Sequence, residues 1–148
     1  MKEFDLSIIT PEKVAFEGKA QYLNLPAWEG LMGVLPGHTP ALVLLHVGAV
    51  VIRDGSGERH LAVSGGFAEI GPKKVILFAE TAEQAEDISK ERARLDAERA
   101  KAELAHARGK GADHAEMDIL VAEAKLRKAL VRLQVADRVR HLPKGPHP

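Results

Sequence analysis

The strongest constraint on the fold is a change of period near residue 80. Up to that point glycine, proline and β-branched residues recur every few positions; after Glu80, glycine and proline vanish until Gly109. Apolar residues that recur every second position line one side of a strand, whereas a spacing near 3.6 lines one side of a helix. The chain therefore divides into a β-rich first half and a helical second half.

The first half opens on a strand in which Phe4, Leu6 and Ile8 alternate with Asp5 and Ser7. Thr10-Pro11-Glu12 turns the chain, residues 14–16 form a second strand ended by Gly18, and residues 21–26 alternate again, Tyr22 and Asn24 opposite Leu23 and Leu25. Residues 30–40, GLMGVLPGHTP, hold three glycines, two prolines and His38. So dense a run of residues that free or fix φ cannot be a helix interior, and it predicts tight turns around a short apolar strand at 32–35. Residues 41–45 and 47–53 read as two strands, and Asp54-Gly55-Ser56-Gly57 as a hairpin turn to 59–63. Gly65-Gly66 breaks or bulges the sheet, and 67–70 and 75–78 flank a second turn, Gly71-Pro72-Lys73-Lys74. Some nine or ten short strands predict a β-sandwich or flattened barrel over residues 1–83. Leu42, Val50, Val63, Phe67 and Ile76 lie in apolar segments and are expected in its core.

Residues 84–142 read as a helical hairpin. Ala82, Ala85, Ala93, Ala97, Ala100, Ala102, Ala105 and Ala107 mix with Ile88, Leu95, Leu104 and many charges, a composition of strong helix propensity. Arg108-Gly109-Lys110-Gly111 stops the first helix. Asp113, three residues before Glu116, is expected to cap the second, which runs to about Arg140 with Ile119, Ala122, Leu126, Leu130 and Leu133 at helical spacing. Pro143 ends it and 143–148 form a flexible tail. An alanine-lined contact buries about three carbons fewer than leucine at each position, roughly 2 kcal/mol, so this antiparallel hairpin is weakly held and able to open.

The totals exclude several functions. Lys+Arg and Asp+Glu both number 21, leaving no net charge to draw the chain to nucleic acid. There is no cysteine for disulfides, thiolate metal sites or nucleophilic catalysis. No apolar run reaches the roughly 20 residues that span a bilayer, and the N-terminus enters strand pattern with no signal-peptide core, so membrane association is expected only through a complex. GKGADH at 109–114 lacks Walker spacing, and Ala62 stands where a nucleophile elbow needs glycine. The seven histidines show no metal-ligand spacing. With no nucleophile, base, metal set or cofactor loop in view, no catalytic residue is assigned.

Taken in order, GLMGVLPGHTP, VSGGFAEI at 63–70, VILFAETAE at 75–83 and the charged alanine-rich half resemble the bacterial epsilon subunit of F-type ATP synthases. The resemblance runs from Phe4 to about Arg140. It implies a non-catalytic rotor subunit of the central stalk, coupling the gamma subunit to the membrane rotor ring for ATP synthesis. It also implies a peripheral location on the cytoplasmic face of the bacterial plasma membrane. Gly30, Leu31, Met32, Gly33, Gly37 and His38 match the region that meets gamma and the ring, although the family commonly carries an acidic residue where Leu31 stands. His38 has a second reading, as a turn histidine capping its own loop.

In some bacteria the family opens its first helix with Ile/Leu-Asp-x-x-Arg-Ala and binds regulatory ATP there. Ile88, Arg92 and Ala93 match, Ser89 replaces the aspartate, and Glu83, Arg99 and Arg127 fall at related positions; the other reading is ordinary helix residues facing water. Lys125, Arg127, Lys128 and Arg132 form a basic face on the second helix. One account is alignment with the helix dipole, which covers only the last turn. The other, implied by the resemblance, is contact of an extended helix with the acidic loop of the catalytic beta subunit, among beta and alpha, to block ATP hydrolysis. The alternative function is a nucleotide-sensing or adaptor module of the same fold.

Overall fold

The computed structural model describes residues 2–109 and 112–139, without the side chains of 112–114 and 139. The chain forms two compact units that divide between Asp87 and Ile88. The first contains strands β1 (Phe4–Ile9), β2 (Val14–Ala20), β3 (Tyr22–Ala27), β4 (Gly30–Val34), β5 (Ala41–Asp54), β6 (Gly57–Ile70), β7 (Lys74–Ala79) and β8 (Ala82–Gln84), then one 3₁₀ turn, Ala85–Asp87. The second contains helices α1 (Lys90–Arg108) and α2 (Ala112–Val139).

The strands join in the order β2-β1-β7-β6-β5-β3-β4, with β8 also on β6. Strands are fewer than the nine or ten expected because β5 and β6 each run for 14 residues. The expected breaks at His46 and at Gly65-Gly66 are bends within continuous strands. Register is unbroken across them, from Ala41↔Ile70 to Asp54↔Gly57. Gly66 explains why a glycine pair sits there: its φ is +118°, and a Cβ would lie 1.9 Å from the Phe78 carbonyl oxygen. Beside that bend β6 exchanges one neighbour for another. Its later residues pair with β7 and its earlier ones with β8, while Glu80 N–H donates to the Gly65 carbonyl and Ser64 N–H to the Thr81 carbonyl.

The expected boundary at 83/84 falls inside β8. Ala82, Glu83 and Gln84 pair with Val63, Ala62 and Leu61, and Gln84 Nε2 donates to the Ala15 carbonyl at 3.3 Å, which carries sheet structure past residue 83. At the far tip of β5 and β6, Asp54 accepts from Ser56 and Glu58 accepts from Arg53 at 3.0 Å; both contacts hold these carboxyls below their ordinary range.

The core is aliphatic apart from Phe4: Leu6, Ile8, Leu23, Leu25, Val34, Leu45, Val50, Ile52, Leu61, Val63, Ile70, Val75 and Leu77 are buried with it. Alternation placed β1 and β3 correctly. Of the expected core residues, Val50 and Val63 are buried, but Leu42 is 73% and Phe67 41% exposed, and Ile76 is half-buried. These three corrections have one cause. Cross-strand partners share a face, and Leu42↔Glu69↔Ile76 and Leu44↔Phe67↔Phe78 are two rows of partners on the outer side. Where a strand is apolar on both sides, alternation disappears and composition cannot tell inner from outer.

In the second unit, α1 begins at Lys90, later than the period change suggests. Ser89 caps it: the side chain accepts from Arg92 N–H at 3.3 Å, and the Ser89 carbonyl accepts from Ala93 N–H. Helix α2 begins at Ala112, so Asp113 lies within its first turn; its side chain, and the tail beyond 139, lie outside the described residues. The buried residues of α1 are Ala93, Ala97, Ala100, Leu104 and Ala107; those of α2 include Ala115, Ala122, Ala129 and Ala136 at heptad spacing. That is the antiparallel alanine-lined seam expected, with the 3.5-residue repeat of a coiled coil. Leu130, placed on the seam by helical spacing, is exposed instead, because Ala129 occupies the inward position beside it.

Candidate interaction surfaces

The first surface grows from the β3–β4 hairpin. Ala27 pairs with Gly30, leaving Trp28 and Glu29 as a two-residue loop, and Gly30 takes φ +134°, a conformation side chains disfavour. Trp28 N–H donates to the Leu44 carbonyl at 3.1 Å, which ties the loop to β5, and its ring meets His46 edge-on at 4.8 Å between centroids. Leu31, Leu42, Leu44 and Trp28 are all exposed, and with Met32 they line a shallow depression of about 510 Å³. The apolar surface continues across the sheet, since Leu44 pairs with Phe67 and Phe67 with Phe78, whose rings stack at 4.8 Å. A sandwich with a filled core that still presents a contiguous aromatic and leucine face has surface suited to a partner.

The sequence-assigned residues are distributed around this surface. Gly30, Leu31, Met32 and Gly33 form β4 itself, with Leu31 77% exposed and Met32 half-buried. Gly37 and His38 lie in the following turn, where His38 N–H donates to the Leu35 carbonyl and Gly37 N–H to the Pro72 carbonyl. The His38 ring donates from Nδ1 to the Thr39 carbonyl at 2.6 Å, the loop-capping contact anticipated for it. Trp28, Leu44 and Phe78 belong to the surface and carried no assignment from sequence, whereas Leu42 and Phe67, also on it, were assigned to the core. The available signal was that 41–45 and 75–79 have more large apolar residues than one side of a strand can bury.

The second surface is on the hairpin. Among the described residues, ion pairs cross from α1 to α2 at Lys90–Asp137, Asp96–Arg132 at 3.3 Å, Glu103–Lys125 at 3.1 Å and Arg108–Glu123 at 3.7 Å. The basic quartet is thus divided. Lys125 and Arg132 are engaged by α1 acids, whereas Arg127 and Lys128 are exposed to solvent. Of the residues matched to nucleotide binding, Glu83 is in β8 of the first unit; the others are in the second, where Ile88 and Ala93 are buried and Arg92, Arg99 and Arg127 exposed. Among the described residues, no group of three or more His, Asp or Glu side chains could hold a metal ion. No helix there is long and apolar enough to cross a membrane.

Comparison with known proteins covers both units. Residues 3–85 match the family profile described as ATP synthase, Delta/Epsilon chain, beta-sandwich domain, and residues 86–137 that described as ATP synthase, Delta/Epsilon chain, long alpha-helix domain. The chain is 41% identical over 134 residues to the ATP synthase epsilon chain of Nitratidesulfovibrio vulgaris, covering 90% of this chain and 96% of that one. To the epsilon chain of Moorella thermoacetica it is 41% identical over 140 residues, covering 94% and 100%. In fold it resembles a chain of the Euglena gracilis mitochondrial ATP synthase OSCP/F1/c-ring structure, with TM-score 0.75, 20% identity and coverage of 94% and 82%. A chain of the Tetrahymena thermophila mitochondrial ATP synthase central stalk/c-ring structure gives TM-score 0.53, 11% identity and coverage of 93% and 96%.

Proposed function

The chain belongs to the ATP synthase delta/epsilon chain family, and from that premise we propose that it is a non-catalytic stalk subunit that docks through the outer face of its sandwich. Gamma lies against the face formed by Leu42, Leu44, Phe67 and Trp28, and Gly30, Leu31, Met32, Gly33, Gly37 and His38 contact gamma or the rotor ring. With Leu31 in place of an acid, the ring contact of β4 is apolar. The complex holds the chain peripherally at the cytoplasmic face of the bacterial plasma membrane.

The observation that supports this reading best is the outer row outside a complete core in which Leu44 and Phe67 are exposed and Phe78 is half-buried. Its test is the double substitution Leu44→Asp, Phe67→Asp. Both side chains are exposed, so the near-ultraviolet dichroism of the sandwich should persist. Co-purification with gamma and the rotor ring should weaken more than about tenfold, as for central interface residues. A folded double variant that still co-purifies at the original yield would remove this face from the assembly.

The hairpin is the regulatory part. When it opens, Lys125, Arg127, Lys128 and Arg132 meet acidic residues of the catalytic beta subunit, near alpha, and slow ATP hydrolysis. Exposed Arg92 and Arg99 leave room for a regulatory ATP on α1, and Ser89 keeps the helix-capping role open to an aspartate. Neutralising the basic quartet together should raise hydrolysis by the assembled enzyme, an effect that shrinks at high salt. Unchanged hydrolysis at low salt would place the brake elsewhere.

A further inference from the structure

The tip of the β5–β6 hairpin holds a peptide bond open to rearrangement. Asp54-Gly55 is the one Asp-Gly pair in the sequence, and there is no Asn-Gly pair. Glycine has no Cβ to hinder the approach of its own amide nitrogen to the preceding side chain. Asp54 pairs with Gly57 across the turn, which leaves Gly55 and Ser56 as an exposed two-residue loop. The neighbour holds the Asp54 carboxylate: Oδ1 accepts from Ser56 N–H at 2.7 Å and from the Ser56 hydroxyl at 2.6 Å. On the other oxygen, Oδ2, Arg59 Nε stands off at 3.8 Å. The Ser56 hydroxyl first, then the Ser56 N–H, keep this carboxyl below its ordinary range.

We infer that Asp54-Gly55 is a site of isoaspartate formation and that the two hydrogen bonds from Ser56 restrain it. The chemistry needs no partner and does not rest on the stalk reading above. The Gly55 nitrogen gives up its proton and bonds to Asp54 Cγ, and a carboxyl oxygen leaves as water, closing a succinimide. Water then opens the ring at either carbonyl. One opening restores aspartate; the other carries the main chain through Cβ and Cγ and leaves the former α-carboxyl as the side chain. The water lost is regained, so mass is unchanged. A carboxylate is a poor electrophile, so the protonated form is the one that reacts. Two donated hydrogen bonds favour the ionised form and therefore slow the first step. The Asp54 side chain is 19% accessible and its turn is exposed, so water can reach the ring and open it. Isoaspartate adds one carbon to the backbone where register is set by Arg53↔Glu58 and Asp54↔Gly57, and it removes the carboxylate that now receives Ser56 and faces Arg59. The product is a loosened hairpin tip.

The test ages the purified full-length chain at mildly acid pH and physiological temperature. Isoaspartate is followed by enzymatic carboxyl methylation and by mass spectrometry of the peptide that contains Asp54. Ser56→Ala keeps the N–H and loses the hydroxyl. It should form isoaspartate roughly three- to tenfold faster than the parent chain, since withdrawing a charge-assisted hydrogen bond raises the protonated fraction by about that factor. Ser56→Thr restores the hydroxyl at an exposed position and should age at the parent rate. Gly55→Ala added to Ser56→Ala should remove the gain, because a Cβ hinders the attacking nitrogen. That Cβ fits: its nearest neighbour would be Gln21 Nε2 at 4.0 Å, and Gly55 lies outside the left-handed region. Near-ultraviolet dichroism should show that the sandwich of each variant is folded at the start. A Ser56→Ala chain that ages no faster than the parent, a Ser56→Thr chain that ages as fast as Ser56→Ala, or a gain that survives Gly55→Ala would overturn the inference.

Discussion

The two units use opposite means to hold a shape. The sandwich buries large aliphatic side chains, among them Leu23, Leu25, Leu61 and Leu77 at 0% exposure, and fixes them by continuous strand register. The hairpin buries alanines and adds ion pairs at its margins, which are worth about 0–1 kcal/mol each when exposed. At roughly 25 cal/mol per Å² of apolar surface, the first arrangement resists separation and the second tolerates it. The difference matches the function proposed for each unit: a docking platform must keep its face, whereas a switch needs two arrangements of similar free energy.

The comparison is open to direct attack, because all six aromatic residues precede position 80. Near-ultraviolet dichroism therefore follows the sandwich, and the 222 nm signal is dominated by the helices. Leu61→Ala should cost the sandwich roughly 2–5 kcal/mol through lost burial and a cavity. Phe67→Ala, outside the core, loses its stacking on Phe78 and should cost about 1 kcal/mol. Urea unfolding followed in the near-ultraviolet measures both. If Phe67→Ala proved as costly as Leu61→Ala, the outer row would be structural, and its role as a docking face would lose its support.

Much of this was legible in the chain. Alternation in FDLSII and in YLNL gave both the strand and its inner side, because only one residue type is compatible with each side. The period change gave the two units, and the alanine spacing gave the seam. What failed was the inner-versus-outer assignment at Leu42, Phe67 and Ile76. A strand apolar on both sides carries no phase, and only pairing with Glu69 and Leu44 fixes it. The same ambiguity concealed the candidate interface, since residues meant for a partner look like core. The hairpin's ion pairs were invisible for another reason: the sequence showed charge along α2 but not that Asp96 and Glu103 on α1 would face it. Ser89 shows the reverse case, where a departure from the family's aspartate proved harmless to the cap because a hydroxyl also accepts from a backbone N–H.

The hairpin offers the smaller and sharper test. Ala129 and Leu130 are neighbours, yet Ala129 is 3% exposed on the seam and Leu130 is 45% exposed outside it. If small size sets the approach of the helices, enlarging the inner residue should harm the hairpin although it adds apolar surface. Ala129→Leu introduces about three carbons, whose burial could contribute roughly 2 kcal/mol if space existed. The seam is already filled by Ala97, Ala100 and Ala122, so the added bulk should instead separate the helices, at a net cost of about 1–3 kcal/mol. Leu130→Ala should change stability by less than about 0.5 kcal/mol, as for most surface substitutions. Thermal scans at 222 nm should show the hairpin transition lowered in the first variant and nearly unmoved in the second, with the near-ultraviolet transition constant in both. A hairpin stabilised by Ala129→Leu would mean that the seam has room to spare, and that its weakness comes from missing volume that a single leucine can restore.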